Sequence, residues 1–318
     1  MELTYAFMVQ ASQMALVLLL APLLTGFVRK VRARLLRRQG PGLFQPYRDL
    51  LRLMRKEVVL ADNASWLFRV APYLIFAATW VAAALVPTFA KGLLFSWTAD
   101  LIAIIALLGS ARFFQTLAGL DVGTSFGGIG SSREVTIASL AEPAMLLTVF
   151  TISLVAGSTQ LSTIAEFMAS PEVGLRISLG LALAALTMIA LAENSRMPID
   201  NPTTHLELTM IHEAMVLEYS GRHLAMIEFA SALKLLLYIS LVLAVFLPQG
   251  LTPVGAGIEA YLLGGLAFLA KLALSGTILA VVEVVVAKMR VFRVSDFLSA
   301  ALMLGLLATL LLFVSRGS

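Results

Sequence analysis

Residues 257–286 read GIEAYLLGGLAFLAKLALSGTILAVVEVVV, the longest apolar run of the chain, with Lys271 near its middle. A helix needs roughly 20 predominantly apolar residues to cross the hydrocarbon core of a bilayer, and this run exceeds that length. Working outward from it, comparable segments lie at 4–28, 70–89, 98–119, 134–156, 175–193, 222–247 and 296–315. The whole sequence of 318 residues is 59% hydrophobic and only 13% charged, with a mean hydropathy of +0.92. Soluble domains are near half apolar and a quarter charged. The sequence therefore predicts an all-α polytopic membrane protein of about eight transmembrane helices, forming a single transmembrane domain over residues 1–318.

Pro87, Gly92, Pro171, Pro248 and Pro253 punctuate the connections, and 157–174 reads as a surface loop with a short helix. The opening Met1-Glu2-Leu3-Thr4 lacks the basic region of a cleaved signal, so the first apolar segment reads as a retained span. The chain has no cysteine, which excludes disulfides, thiolate zinc sites and cysteine-ligated iron–sulfur clusters within it.

Seventeen lysines and arginines fall in loops on one side of these spans and three, Lys91, Arg176 and Arg316, on the other. The positive-inside bias places the basic side in the cytoplasm and both termini outside. Segment 29–69 alone holds eleven of these cations. Within it Tyr47, Leu50, Leu51, Met54 and Val58 recur at helical spacing, with Arg48, Asp49, Arg52, Arg55 and Lys56 on the other face. That pattern predicts an amphipathic helix in a basic cytoplasmic loop. Such a segment fixes topology and touches anionic lipid; it also offers a shelf for a soluble partner.

Ionisable groups inside a membrane cost at least a few kcal/mol each, so they default to functional candidates. The segment 193–228 holds Glu193, Asp200, Glu207, Glu213, Glu218 and Glu228 together with all three histidines, His205, His212 and His223. Asp121, Glu134 and Glu142 belong to the same side. Thr204-x-x-Glu207 and Ser131-x-x-Glu134 fit a capping box, so a structural role stands beside a functional one for both acids. Glu207 and Glu218, eleven residues apart, would share one face of a continuous helix. Glu142, followed by Pro143, and Glu228 lie in apolar runs without a capping role, which favours function. Carboxylates along a low-dielectric path can exchange protons near neutral pH. The candidate proton path therefore comprises Glu134, Glu142, Glu193, Glu207, Glu213, Glu218 and Glu228 with the cations Lys234 and Lys271. Arg112 stands close enough to the basic side to snorkel there, whereas Lys271 is expected to pair with a carboxylate or face water.

Other chemistries find no support. The glycine-rich stretch Gly119 to Gly130 lacks the Gly-Lys-Ser/Thr ending of a phosphate loop and reads as a tight turn between spans. His212-Glu213 lacks the second histidine of a zinc-protease helix. The histidines crowd one interfacial segment instead of facing each other across a bundle, which argues against haem. No cofactor, metal or nucleic acid is expected on this chain.

Arg29-Lys-Val-Arg-Ala-Arg34 and Arg37-Arg-Gln-Gly-Pro-Gly42 resemble the first cytoplasmic loop of the quinone-site membrane subunit of respiratory complex I. So do Leu191-Ala-Glu193, the loop Pro198 to Pro202, and Glu218-Tyr-Ser-Gly221. The stretches Gly119 to Glu134, Ala141-Glu-Pro143 and Asp200 to Glu213 are more similar to the membrane anchor of group 4 nickel–iron hydrogenases of the formate hydrogenlyase and hydrogenase-4 type. After Gln39-Gly40-Pro41 the Asn-Arg-Val-Gly stretch of complex I is missing, which counts against a quinone pocket. The resemblance implies a non-catalytic anchor and proton-coupling subunit in the cell inner membrane. It implies a hydrogenase-like large subunit, an iron–sulfur small subunit and a ferredoxin-like subunit on the cytoplasmic face, carrying the nickel–iron centre and the clusters. Antiporter-like subunits would lie beside it in the bilayer. Docking would use Arg34, Arg37, Arg38, Arg48, Arg52 and Arg55 from 29–69, and Asp200, His205 and His212 from an acidic cytoplasmic loop, 194–221. A quinone-site subunit of a complex I-like enzyme and a stand-alone ion transporter are the alternatives.

Overall fold

The computed structural model describes residues 2–170, 176–196, 198–199, 211–253, 255–287, 289 and 293–317. Among these residues the chain forms helices only: α1 (Glu2–Leu35), α2 (Gln45–Met54), α3 (Trp66–Leu85), α4 (Leu101–Asp121), α5 (Ser125–Ala156), α6 (Leu161–Ala169), α7 (Ile177–Glu193), α8 (His212–Val216), α9 (Gly221–Phe246), α10 (Ile258–Val285) and α11 (Val294–Gly317). Seven of them, α1, α3, α4, α5, α9, α10 and α11, are long and apolar enough to cross a membrane. The remaining expected span is α7, apolar but 17 residues long, or about 25 Å at 1.5 Å per residue. The short helix expected in 157–174 is α6, seated by buried Leu161, Ile164 and Ala165.

Side-chain caps set several boundaries. Ser65 accepts from the Leu67 amide at 3.1 Å and Asp100 from the Ile102 amide at 2.7 Å, opening α3 and α4. Thr124 accepts from the Gly127 amide at 3.2 Å and opens α5. These oxygens satisfy amides that a helix start leaves orphaned. The last of them corrects the sequence reading twice. Helix α5 begins nine residues before the expected 134, so the turn is only Val122 to Thr124. Ser131-x-x-Glu134 then lies inside the helix and cannot be a capping box. Gly127 packs against the Gly119 carbonyl, where a Cβ would collide, and the Ser131 hydroxyl donates to the Thr116 carbonyl at 3.0 Å. Tertiary packing makes this glycine-rich stretch helical.

The spans alternate in direction, so the bundle has two distinct ends. At one, the Asp121 carboxylate accepts from the Ser65 amide at 2.8 Å and Ser220 exchanges hydrogen bonds of 2.8 Å with the Val59 backbone. Arg32 and Arg196 meet Glu283 at the same end. These contacts join the C-terminal end of α4 to the start of α3, the start of α9 to the segment before α3, and the C-terminal ends of α1 and α10 to the residues just after α7. At the other end the Lys91 amide donates to the Thr252 carbonyl at 3.0 Å, Lys91 pairs with Glu166 at 3.0 Å, and Gln13 donates to the Ala84 and Val86 carbonyls, each at 3.0 Å. The N-terminal end of α1 and the C-terminal end of α11 lie at this second end, away from the basic one.

The amphipathic helix α2 lies against α1 at the level of Gly26, whose missing side chain admits the Leu43 carbonyl and the Pro46 ring. Tyr47 donates to the Leu19 carbonyl, while Leu51 and Met54 stay exposed, as an interfacial helix requires. The core centres on α9, with Leu233, Leu236, Leu237 and Leu241 buried against neighbours such as Ile104 and Leu186. Helix α10 presents Leu262, Leu266 and Leu274 outward, the profile of a lipid-facing span.

Candidate functional site

Halfway along α4, Arg112 is 8% exposed and faces three carboxylates. Its Nη1 lies 3.1 Å from Glu142 Oε1, its Nε lies 3.5 Å from Glu134 Oε1, and its Nη2 pairs with Glu193 Oε1. Glu134 and Glu142 lie on one face of α5, eight residues apart; Glu193 ends α7. The other oxygen of Glu193, whose side chain is 3% exposed, takes Lys234 Nζ of α9 at 2.9 Å. Arg112 therefore does not snorkel: it is the hub of a network drawn from α4, α5, α7 and α9. Glu142 differs from its companions in being 47% exposed near the midpoint of a spanning helix.

A string of cavities leads to this hub. The largest, about 460 Å³, opens at the basic end between α1, α8, α9 and α10 and is lined by Arg29, Arg32, Arg196, Glu213, Glu228 and Glu283 among others. A second, about 30 Å³, shares Asn194, Ser195, His212 and Ser231 with it and reaches Arg112, Glu193 and Lys234. A third, about 10 Å³, shares Arg112 and Glu193 with the second and ends on Glu142 and Tyr238. A water needs roughly 10–15 Å³ of such space and two to four polar partners. The inner cavities are on the scale of one or two waters each, and their polar walls supply the partners.

His212 stands where the first two cavities meet, 3.0 Å from Gln115, one turn along α4 from Arg112. Burial lowers its pKa to about 4, assisted by the Lys234 charge, so it is neutral at physiological pH. At the basic end Glu283, only 2% exposed, is held by Arg32 at 3.4 Å and Arg196 at 3.0 Å.

The candidate path residues thus separate into groups. Glu134, Glu142, Glu193 and Lys234 converge on Arg112, and Glu213 and Glu228 line the large cavity. Glu218 is exposed at the surface; its neighbour Tyr219 stacks on Phe68 at 3.9 Å and donates to the Phe68 carbonyl at 3.0 Å, so this motif clamps α3. Lys271 is remote from the network. In place of the expected carboxylate or water, its Nζ meets the Leu247 carbonyl at 2.5 Å and that of Gln249, because the chain after α9 folds back along α10 and leaves those carbonyls needing a donor. Asp200, His205 and Glu207 lie outside the described residues. Arg34, Arg37, Arg38, Arg48, Arg52 and Arg55 are all on the basic end or its shelf. Glu283 and Tyr238 were not singled out by the sequence, and Arg112 only as a cation within reach of the basic side. Glu283 could have been noticed as an acid within the longest apolar run.

A polytopic bundle with a chain of buried charges running from a basic-end cavity to a half-exposed carboxylate is a membrane protein that holds charge in its interior, with no group among its described residues for metal binding. The chain belongs to the NADH dehydrogenase (NADHdh) family, whose profile matches residues 8–314. It is 36% identical over 243 residues to hydrogenase-4 component C of Escherichia coli K12, covering 75% of each chain. It is 34% identical over 266 residues to formate hydrogenlyase subunit 4 of the same organism, covering 84% of this chain and 81% of that one. NADH-ubiquinone oxidoreductase chain 1 of Triticum aestivum is 30% identical over 243 residues, 72% of this chain and 73% of its own. The fold is shared with a chain of the membrane-bound sulfane sulfur reductase, an archaeal respiratory membrane complex, at a TM-score of 0.78 and 19% identity, covering 96% and 98% of the two chains.

Proposed function

We propose that this chain is the membrane anchor and proton-coupling subunit of a formate hydrogenlyase or hydrogenase-4-like complex in the cell inner membrane. The observation that carries the coupling role is the Arg112 hub. Two cations, Arg112 and Lys234, face three carboxylates, leaving one negative charge uncompensated within the protein. In a low-dielectric site such a group holds a proton collectively and passes it on when a neighbour's charge changes. The cavities supply a hydrated approach from the basic end, which the positive-inside bias places in the cytoplasm with both termini outside.

Glu142 gives the other end of the route. A half-exposed carboxylate at mid-membrane depth is not left facing lipid; on this reading an antiporter-like subunit covers it and receives the proton. The soluble subunits dock on the basic end, on α2 with Arg48, Arg52 and Arg55, on Arg34, Arg37 and Arg38, and on the segment with Asp200 and His205; His212, turned inward against Gln115, is not part of that surface. The nickel–iron centre and iron–sulfur clusters belong to those partners, and no redox step occurs on this chain.

Quinone chemistry is the rival reading, favoured by the volume of the large cavity and the likeness to NADH-ubiquinone oxidoreductase chain 1. The lining speaks against it: it includes no Phe, Tyr or Trp among the described residues and concentrates four arginines and three glutamates, whereas sites for apolar rings are mostly hydrophobic and aromatic. Gentle solubilisation of the native complex, followed by subunit identification and metal analysis, tests the assignment. Co-purifying nickel and a large subunit with four nickel-binding cysteines is the expected outcome. A nickel-free complex that reduces quinone would overturn it.

A further inference from the structure

We propose that the large basic-end cavity binds the phosphate headgroup of one anionic phospholipid, an inference that does not rest on the proton-coupling reading. Its volume of about 460 Å³ falls within the roughly 300–1,000 Å³ of small-molecule sites. Arg29 and Arg32 on α1, Arg38 in the linker that follows and Arg196 beyond α7 all line it. Arg32 and Arg196 each place one nitrogen on Glu283. A guanidinium has five N–H donors, so both retain donors for a second acceptor while Glu283 fixes their position. Among the described residues, neither Arg29 nor Arg38 forms a salt bridge.

Charge counting selects the ligand. Among the described residues the four arginines are set against Glu213, Glu228 and Glu283, and neutral His212 adds nothing, so the described lining carries one net positive charge. A phosphodiester carries one negative charge, and its oxygens match the forked donors of arginine. Binding one such group offsets the positive charge of the described lining.

Position selects the lipid as the source. The arginines lie at the last turns of spanning helices or just beyond, in the headgroup zone of a bilayer. Beside Glu283 the flank of α10 is apolar and open, with Val285 76% exposed and Val281 and Val286 also exposed. An acyl chain can lie along that flank while its headgroup enters the cavity.

The test uses the intact complex exchanged into phosphatidylcholine nanodiscs, with retained phosphatidylglycerol read by native mass spectrometry. One phosphatidylglycerol should stay with the wild-type chain. Arg29→Gln with Arg38→Gln removes two charge-assisted contacts and should lower retention about tenfold or more. Arg38→Gln alone, in the linker, keeps the test valid where the double variant does not fold, and should lower retention about threefold. Glu228→Gln raises the lining charge by one and should retain at least as much lipid as the wild type. Equal retention of phosphatidylcholine, unchanged retention in folded arginine variants, or displacement of the lipid by inorganic phosphate alone would each overturn the proposal.

Discussion

Lys234 Nζ and Glu193 Oε2 lie 2.9 Å apart, joining the middle of α9 to the last residue of α7. The contact matters because Glu193 also holds Arg112, so one buried carboxylate ties both cations of the network together. Removing one partner of a buried pair is costly, whereas the pair as a whole adds little to stability.

Lys234→Met is therefore expected to destabilise the bundle by roughly 3 kcal/mol, and Lys234→Arg by much less. Thermal unfolding of the detergent-solubilised complex reads the difference. Equal losses in the two variants would mean that shape, not charge, matters at this position.

His212 makes stability depend on pH. Its folded pKa, about 4, lies below the 6.5 of an unfolded histidine, so the unfolded chain binds the proton more readily. The stabilising contribution is complete above pH 6.5 and is lost as pH falls toward 4. It amounts to roughly 3 kcal/mol. His212→Gln should flatten the change in melting temperature across that window. An unchanged slope would show that His212 is accessible to protons in the folded chain.

Gly221 has φ +53°, and a Cβ there would lie 2.8 Å from the Lys56 carbonyl oxygen and 2.7 Å from that of Glu57. Gly221→Ala should loosen the contact between the 55–65 segment and α9 and cost about 1–3 kcal/mol. Limited proteolysis within 55–65 is the readout, with faster cleavage expected in the variant.

Reversing charge at Arg48, Arg52 and Arg55 together should release the soluble subunits, since the basic face of α2 is solvent-exposed while its packing on α1 depends on Gly26, Pro46 and Tyr47. Pull-down of the solubilised complex checks this. Full retention of the soluble arm would remove α2 from the docking surface.

The spans were legible because each is an apolar run of bilayer length, and the basic end because its cations cluster in loops. The start of α5 was not: glycines at 127, 128 and 130 read locally as a turn, and only the close approach to Gly119 makes them helical. The acid cluster was legible as a set of residue types, but not the hub. Nothing near Arg112 in sequence announces that carboxylates 22, 30 and 81 residues away will enclose it. Glu283 is hidden in the same way, since Arg32 and Arg196 reach it from distant parts of the chain. Lys271 misled because backbone carbonyls leave no mark in a sequence.

The central claim is that protons travel through the Arg112 network to Glu142. The decisive measurement is the number of protons translocated per turnover by the whole complex in sealed vesicles, comparing wild type, Glu142→Gln and Glu218→Gln. The account predicts that Glu142→Gln assembles normally but lowers the ratio about tenfold or more, while Glu218→Gln, an exposed acid outside the network, leaves it unchanged. An unaltered ratio in Glu142→Gln, or the same loss in both variants, would contradict it.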